Sequence, residues 1–304
     1  FNNKLWNAAR FVLMNLDIEQ VTVPSKEELE TEDKWILSRL NDLTKEVCEN
    51  LDRFELGVAL AKLYDFVWSE FCDWYIELLK PRFADKGSRS NLVAQNVIAY
   101  VLGQTLKLLH PFMPFITEEI RSSLPPISGD EAESIMISAY PSYDPALSFP
   151  EDEERMEKLI ELIRAIRNRR SEMNVPPSKK AKLYVVSDRK DLYGEKTTKF
   201  FLKLAYASEV EYPASHSDEG SVQIVAGSAT AYIPLGELVD LEKEKARLKA
   251  EEEKTRGEIK RLEGKLSNEG FVSKAPAAVV EGERAKLEKY RLTLSQLEEA
   301  LSKM

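Results

Sequence analysis

The chain contains 304 residues, 43% of them hydrophobic, so it can bury a substantial core and is expected to hold two or three domains. Its 43 basic and 52 acidic residues give a net charge of −9, which excludes a chain that is basic over its whole surface. The two cysteines, Cys48 and Cys72, are too few for a disulfide framework or a zinc knuckle, and they favour a reducing, cytoplasmic setting.

The net charge hides an uneven distribution. Residues 238–304 carry 15 basic against 14 acidic side chains, so the acidic excess lies in the residues before them. Contact with phosphate depends on local basic surface, and nucleic acid therefore stays among the possible partners. No apolar run approaches the ~18 residues that cross a membrane and no secretory leader is recognisable, so we expect no membrane association. The sequence begins in mid-pattern without Met, which indicates a fragment of a longer protein.

The first 124 residues repeat their apolar positions at the helical period. Leu5, Ala9 and Val12 share one face of a first helix, and a second helix over residues 35–51 follows the cap-like Thr31 and Asp33. Further helices are predicted at 56–79, 91–109 and 115–124, with a loop at 81–90. The helix at 56–79 carries six aromatic residues, which at this spacing are more typical of a bundle core than of base stacking: Tyr64, Phe66, Trp68, Phe71, Trp74 and Tyr75.

Two prolines define an elbow between the last two of these helices. Pro111 has no N–H and disfavours the α conformation at His110, so the preceding helix should end at Leu109. Pro114 suits the first position of the next helix. Four apolar residues surround the prolines, so we expect the corner to be buried between helices: Phe112, Met113, Phe115 and Ile116.

The pattern changes after residue 124. Residues 125–150, rich in Pro, Ser, Gly and Asp, are predicted to be a linker that packs along the bundle through Ile135, Ile137 and Tyr140. An amphipathic helix is predicted at 151–173. The period then becomes two, and it predicts strands at 181–187, 209–212, 222–226 and 229–233, with a helix at 196–207 among them. This arrangement predicts a small α+β domain.

The last region repeats apolar residues at heptad spacing from Leu241, loses the pattern over residues 267–275, and resumes it at Val280. These features predict an antiparallel coiled-coil hairpin whose two helices of ~28 residues each reach about 40 Å. The predicted fold class is therefore mainly α, in three domains: a helical bundle at 1–145, a linker with a small α+β domain at 146–237, and the hairpin at 238–304.

Four sequence blocks resemble one known family. They are Asn3 to Phe11 (NKLWNAARF), Trp68 to Tyr75 (WSEFCDWY), the elbow from Leu109 to Ile120, and the hairpin tip from Leu266 to Pro276 (LSNEGFVSKAP). Together they are similar to the C-terminal part of bacterial-type valyl-tRNA synthetases, which are class I aminoacyl-tRNA synthetases. The elbow is shared with the isoleucyl and leucyl relatives, and the tip block points to the valyl enzymes. The resemblance covers nearly the whole chain.

The resemblance implies an anticodon-binding helical bundle and a tRNA-binding arm. The adenylate-forming motifs and the editing domain of the family are missing, so the chain is expected to be non-catalytic alone, with no cofactor or metal of its own. ATP and Mg²⁺ would serve the catalytic part of a parent enzyme that is expected to be cytoplasmic and monomeric. The implied partner is valine tRNA, with no DNA and no membrane. His110 and His216, the two histidines of the chain, are expected to be structural or solvated.

The first helix carries the anticodon candidates. Asn3, Asn7 and Arg10 point away from its apolar face. An Asn amide can form a bidentate pair with adenine, and an Arg can donate two hydrogen bonds to a base edge or a phosphate. Every valine anticodon ends in A and C, so we predict that this face reads those bases. Trp6, Phe11 and Trp35 are the candidate stacking surfaces.

Two basic regions are candidates for contact with the tRNA backbone. Between Arg164 and Lys182, seven basic residues face a single acidic one, Glu172. The candidates there are Arg167, Arg169, Arg170, Lys179 and Lys180. In the hairpin they are Lys254, Lys260, Arg261, Lys265 and Lys274. Solvated helix ends and ordinary coiled-coil pairing would produce the same charges, and only the family resemblance favours RNA.

Two alternatives remain open from the sequence. A helical bundle with a projecting coiled coil could be a protein-interaction module, which suits the overall acidity. The chain could also be the equivalent region of an isoleucyl or leucyl synthetase. Isoleucyl versions often end in a Cys-rich zinc site, and this sequence has no such site.

Overall fold

The computed structural model describes residues 1–130, 132–217, 219–238, 241–267 and 277–302. Internal contacts divide the chain into two compact units. The first, which we call the bundle unit, comprises Phe1–Ala165, Ser187–Ala205 and Ala226–Ala229. The second, the arm unit, comprises Ile166–Val186, Tyr206–Val225 and Thr230–Met304.

The bundle unit is built from amphipathic helices around a hydrophobic core. Its helices are α1 (Asn2–Met14), α2 (Thr31–Asp52), α3 (Leu56–Asp65), α4 (Ile76–Ala84), α5 (Arg89–Leu109) and α6 (Pro114–Ser123), followed by the first part of α7 (Pro150–Glu172) and by α8 (Glu195–Leu204). Leu5, Ala9 and Val12 of α1 are buried, as their spacing predicts. The predicted mainly α fold, with a small α+β portion, is confirmed.

The predicted aromatic helix is a composite. A π-helical segment, Phe66–Tyr75, joins α3 to α4 without a break. The helix then continues through Pro81 to Ala84 and α5 begins at Arg89, so the predicted loop at 81–90 is wrong over its first four and last two residues. Arg82 and Phe83 are buried, and their packing holds the turn that contains the proline. One lost backbone hydrogen bond is a smaller cost than exposing those two side chains.

The elbow has the predicted helix ends, but neither the predicted conformation of His110 nor the predicted burial. His110 keeps α-helical backbone angles, with φ −54° and ψ −40°, so the expectation that Pro111 moves it out of the α region is wrong. Helix α5 ends at Leu109 and α6 begins at Pro114, as the two prolines require. The Nδ1 atom of His110 lies 2.8 Å from Oγ1 of Thr117 and links the two helices. Phe115, however, is 90% exposed, and the other three apolar residues of the corner are only half-buried, so the prediction of a buried corner is wrong. The position of Phe115 in the first turn of α6 points the ring away from the bundle.

The linker packs on the bundle through fewer residues than predicted. Ile135 is buried and the Tyr140 hydroxyl donates to the carbonyl of Leu108 over 3.2 Å, but Ile137 is exposed. The short 3-10 turns Ile135–Ile137 and Pro145–Leu147 lie within it. The amide of Asn41 on α2 donates to the carbonyl of Asp144 over 2.9 Å and accepts from its N–H over 2.8 Å.

Helix α5 forms the centre of the bundle. By length and composition it is apolar enough to cross a membrane, but 83% of its apolar window is buried inside the protein. Its buried residues include Val97, Ile98, Val101 and Leu102. We therefore interpret α5 as the core helix of the bundle.

A buried charge network surrounds the start of α2. Arg82 donates to both carboxylate oxygens of Asp33, at 2.8 and 2.9 Å, and the Tyr75 hydroxyl donates to Asp33 over 3.0 Å. Lys199 on α8 contacts Glu30 at 2.6 Å and Glu32 at 2.9 Å. The network therefore fixes α8 and α4 against the first turn of α2.

Burial sets the protonation of this network. Burial raises the pKa of both Glu32 and Asp33, although Lys199 and Arg82 oppose that shift. For the more exposed Glu30, burial also acts to raise the pKa, but hydrogen bonds from Lys199 and Ser90 outweigh it and lower the value to about 2. Three carboxylates thus share two cations.

The two cysteines lie in the bundle unit and are half-buried. Burial raises the pKa of the Cys48 thiol, and it raises that of Cys72 to about 11. Since the thiolate is the reactive form, neither side chain is an activated nucleophile near neutral pH.

The arm unit contains a small sheet and two long helices. Its elements are β1 (Ala181–Val186), β2 (Ala207–Glu211), β3 (Ser221–Ala226), β4 (Ala229–Pro234), α9 (Leu235–Leu238), α10 (Leu241–Leu266) and α11 (Ala277–Ser302). The strand order is β2-β1-β4-β3, with β1 parallel to β2 and antiparallel to β4. The predicted strands and the predicted helix at 196–207 are confirmed, with ends shifted by up to three residues.

Helices α10 and α11 pack against each other at the predicted heptad positions. Thr255, Ile259 and Leu262 of α10 are buried, as are Val280 and Leu287 of α11. Leu266, Tyr290 and Leu294 pack against the edge of this core. The tip, residues 268–276, lies outside the described residues.

Candidate nucleic-acid interface

The outer face of α1 is open, as its sequence predicts. Asn3, Asn7 and Arg10 are exposed on the side opposite the buried stripe of Leu5, Ala8, Ala9 and Val12. No ion pair or hydrogen bond engages the Arg10 side chain within the described part of the chain. The face therefore presents two amides and one guanidinium that can exchange water for a polar ligand.

The three aromatic candidates differ in exposure. Trp6 is 47% exposed and can offer a ring face to a base. Phe11 is half-buried, with its ring centroid 5.9 Å from that of Phe83 and 5.9 Å from Nζ of Lys80. Trp35 is 2% exposed, so its interpretation as a stacking surface is wrong. Its position on α2 turns the indole into the bundle core.

Sequence reasoning missed a group of residues beside this face. The rings of Tyr64 and Trp68 stack at 5.5 Å with an interplanar angle of 14°, and both side chains are exposed. Lys4 places Nζ 3.7 Å from the centroid of the Trp68 ring and 2.7 Å from the Asp73 carboxylate. The core interpretation of the aromatic helix is confirmed for Phe66, Phe71, Trp74 and Tyr75 and is wrong for this pair. The four-residue spacing of positions 64 and 68 was the available signal, because it places both on one helix face.

The basic region between residues 164 and 182 does not form one surface. Arg164 is exposed and lies 5.2 Å from the Trp74 ring centroid, within the bundle unit. In the arm unit, Arg167 donates to the Tyr206 hydroxyl over 3.2 Å and Arg169 pairs with Glu172 at 3.1 Å. Each of these three cations therefore already has a partner within the protein.

Arg170 is an interior residue. Its side chain is 3% exposed, and its Nη2 donates to the carbonyls of Pro176 and Lys179. Burial lowers its pKa, and the ring of Tyr206 lies 5.6 Å from its guanidinium carbon. The candidate role in phosphate binding is therefore wrong for Arg170, which instead holds the turn after α7.

The other cations of this region differ in whether they form ion pairs with acidic side chains of the protein. Lys180 is exposed and Lys179 is half-buried, and neither forms an ion pair within the described residues. Lys182 pairs with Glu211 at 2.6 Å and Glu209 at 3.3 Å, and hydrogen bonds to these carboxylates raise its pKa. Lys179 and Lys180 remain available to an external anion.

The basic candidates of the hairpin also differ in whether they form ion pairs within the protein. Lys254 and Lys260 are exposed, and neither forms an ion pair in the described part of the arm. Arg261 pairs with Glu258 at 2.9 Å on its own helix, and Lys265 reaches Glu283 of α11 at 3.3 Å. Lys274 lies outside the described residues.

Two known family models match this chain, one over most of the helical bundle and one over the hairpin. Residues 33–185 match the family model described as the anticodon-binding domain of tRNA ligase, and residues 240–304 match that of the valyl tRNA synthetase tRNA binding arm. The chain therefore belongs to the family of tRNA-ligase anticodon-binding domains.

Among curated proteins, the similar chains are valine–tRNA ligases. That of Clostridium perfringens is 48% identical over 306 residues, which cover 99% of this chain and 34% of the relative. That of Clostridium acetobutylicum is 47% identical over the same extent, and that of Bacillus anthracis is 40% identical over 294 residues, 95% of this chain and 33% of the relative. The chain spans about a third of the length of these curated relatives and matches their C-terminal part.

Proposed function

We propose that this chain is the tRNA-binding portion of a valine–tRNA ligase. It would hold valine tRNA by the anticodon and the outer corner, while the catalytic portion of the parent enzyme attaches valine with the use of ATP. The observation that supports this most strongly is the pair of family matches, one over the bundle and one over the arm, on a chain 40–48% identical to valine–tRNA ligases along nearly its whole length.

In this proposal the outer face of α1 reads the last two anticodon bases. Asn7 pairs with the adenine, whose exposed edge offers one donor and one acceptor to an amide. Arg10 donates to the acceptors of the cytosine or to the adjoining phosphate. Trp6 supplies a ring on which an unstacked loop base can lie. Asn3 extends the same face by one helical turn.

The parent enzyme would supply the catalytic chemistry. ATP and Mg²⁺ would act in its catalytic portion, and the portion described here would carry no cofactor and no metal of its own. We propose that the parent works as a cytoplasmic monomer on valine tRNA isoacceptors, without a DNA or membrane partner. The portion alone would not activate valine.

Substitution on α1 tests the anticodon assignment. In the full-length enzyme, Asn7→Ala and Arg10→Ala should each raise the Kd for valine tRNA roughly 5- to 150-fold, because a good base pair to a side chain contributes ~1–3 kcal/mol of discrimination. Binding to a version of that tRNA with a swapped anticodon should change much less. Fluorescence titration at two salt concentrations measures both.

Asn2→Ala is the matched control, since it removes an exposed amide from the same helix outside the proposed face. It should leave both dissociation constants unchanged. Equal losses for the two RNAs in the Asn7 and Arg10 variants would make this face a nonspecific contact. If the unsubstituted enzyme bound isoleucine tRNA as tightly as valine tRNA, the valine assignment itself would fail.

A further inference from the structure

The outer faces of α10 and α11 differ in the number of cations that have no partner within the described residues. On α10 the core side is fixed by Thr255, Ile259 and Leu262, which are buried against α11. The two flanks that lead away from this core each carry cations. Positions 254, 261 and 265 are seven and four residues apart and share one flank, and positions 249 and 260 share the other.

The cations of α10 include two that are free for an external ligand. Lys254 and Lys260 lie on opposite flanks, about 9 Å apart along the axis at ~1.5 Å per residue. Both are exposed, and the described residues offer neither of them an acidic partner. Between the flanks the helix presents Gly257, where even an added Cβ would have no atom within 4 Å. A ligand that reaches both ammonium groups therefore meets no intervening side chain at that point.

The outer face of α11 has a different character. Its exposed residues opposite the core are Glu281, Ala285, Glu288, Lys289 and Leu292, the last of them 63% exposed. Two of the cations on its flanks are neutralised: Lys286 pairs with Glu283 at 3.1 Å, and Arg291 pairs with Glu263 at 2.8 Å and Glu288 at 3.3 Å. A third, Arg284, is exposed and forms no ion pair within the described residues. A polyanion gains less on this side, because contacts with Lys286 and Arg291 must first break existing pairs and only Arg284 is free of one among the described residues.

We propose that α10, and not α11, is the RNA-facing helix of the arm, with Lys254 and Lys260 on either side of one stretch of sugar–phosphate backbone. The inference rests on the proposed function and adds to it the face and the residues through which the arm makes contact. These cations hold phosphates without reading bases, so their contribution is independent of sequence and depends strongly on salt.

Charge neutralisation on each helix separates the two faces. In the full-length enzyme, the double variant Lys254→Gln/Lys260→Gln should weaken binding of valine tRNA roughly tenfold per lost contact at 0.1 M salt. It should also reduce the slope of log K against log salt by about 0.7–0.9 per contact. The matched control Arg284→Gln/Lys286→Gln removes the same charge from α11 and should leave both quantities unchanged. Far-UV circular dichroism establishes that each variant keeps its helix content.

The outcomes distinguish the two proposals. A loss of affinity for valine tRNA and of salt slope in the α10 variant alone supports the inference. Loss in the α11 variant alone, equal loss in both, or no change of slope in either would overturn it, while the anticodon assignment would still be decided by Asn7 and Arg10. Failure of the unsubstituted enzyme to bind valine tRNA would instead reject the proposed function.

Discussion

Replacement of Arg82 by methionine should destabilise the bundle unit more than any surface change of equal size. The guanidinium contacts Asp33 at 2.8 and 2.9 Å and donates to the carbonyl of Ser90 over 2.9 Å, and the side chain is 6% exposed. Methionine fills most of the same volume without a charge. Asp33, which is fully buried, then keeps the Tyr75 hydroxyl and the Glu30 N–H as its partners and loses its cation.

The expected loss in the free energy of unfolding is ~3–5 kcal/mol, the cost of leaving a buried carboxylate without its partner. It should become smaller as the pH falls. Burial raises the pKa of Glu32 and Asp33, so both take up protons as the pH falls, and a neutral carboxyl group needs no opposite charge. The double variant Asp33→Asn/Arg82→Met should recover more than half of the loss, because the amide keeps the hydrogen bonds without the charge.

Urea unfolding followed by tryptophan fluorescence is the suitable assay, since the four tryptophans of the chain, at positions 6, 35, 68 and 74, all belong to the bundle unit. Arg53→Met, which changes an exposed arginine of the same unit, is the control and should shift stability by less than ~0.5 kcal/mol. A loss below ~1 kcal/mol for Arg82→Met, or no recovery in the double variant, would refute the assigned role of this ion pair.

Two further changes test other parts of the fold. Because the folded pKa of Glu30 is about 2, against an ordinary 4.5, its ionised form contributes stability at pH values above 4.5 and this contribution is lost between 4.5 and 2. In Glu30→Gln the free energy of unfolding, measured at pH 7, 4 and 3, should therefore fall less steeply with decreasing pH. Glu49→Gln, which changes an exposed carboxylate of α2, should leave the pH dependence as it is. In the arm, Leu262→Ala should cost ~2–5 kcal/mol of helical hairpin stability, seen as a lower thermal midpoint at 222 nm, because Leu262 is fully buried. Leu292→Ala, at an exposed leucine of α11, should leave that midpoint in place, and equal shifts would contradict the assigned hairpin core.

The elements with a strong period were predictable from the sequence, because one apolar face per helix or strand determines both type and orientation. Helix α1 and the heptads of α10 and α11 are examples, and the prolines at 111 and 114 located the elbow to the residue. The open face of Asn3, Asn7 and Arg10 follows from the same geometry.

Burial at individual aromatic and basic positions was not predictable in the same way. Trp35 and Trp68 are identical side chains on neighbouring helices, yet the first is in the core and the second is exposed. The π-helical segment changes the rotation per residue, so the α-helical period alone does not separate its exposed ring, Trp68, from its four buried rings. Arg170 looked like one more cation of a basic run, and its role depends on two carbonyls that only the folded turn brings to it.

The low reactivity of the Cys48 and Cys72 thiols allows a single dye to be attached to the arm. A cysteine introduced at the exposed position 281 would react with a maleimide dye ahead of the two native thiols, because burial raises the pKa of both native thiols and so lowers their thiolate fraction. One fluorophore could then be attached to α11 without removing any native residue of the bundle. Energy transfer from that dye to a labelled RNA would report how close the hairpin comes to its ligand in solution.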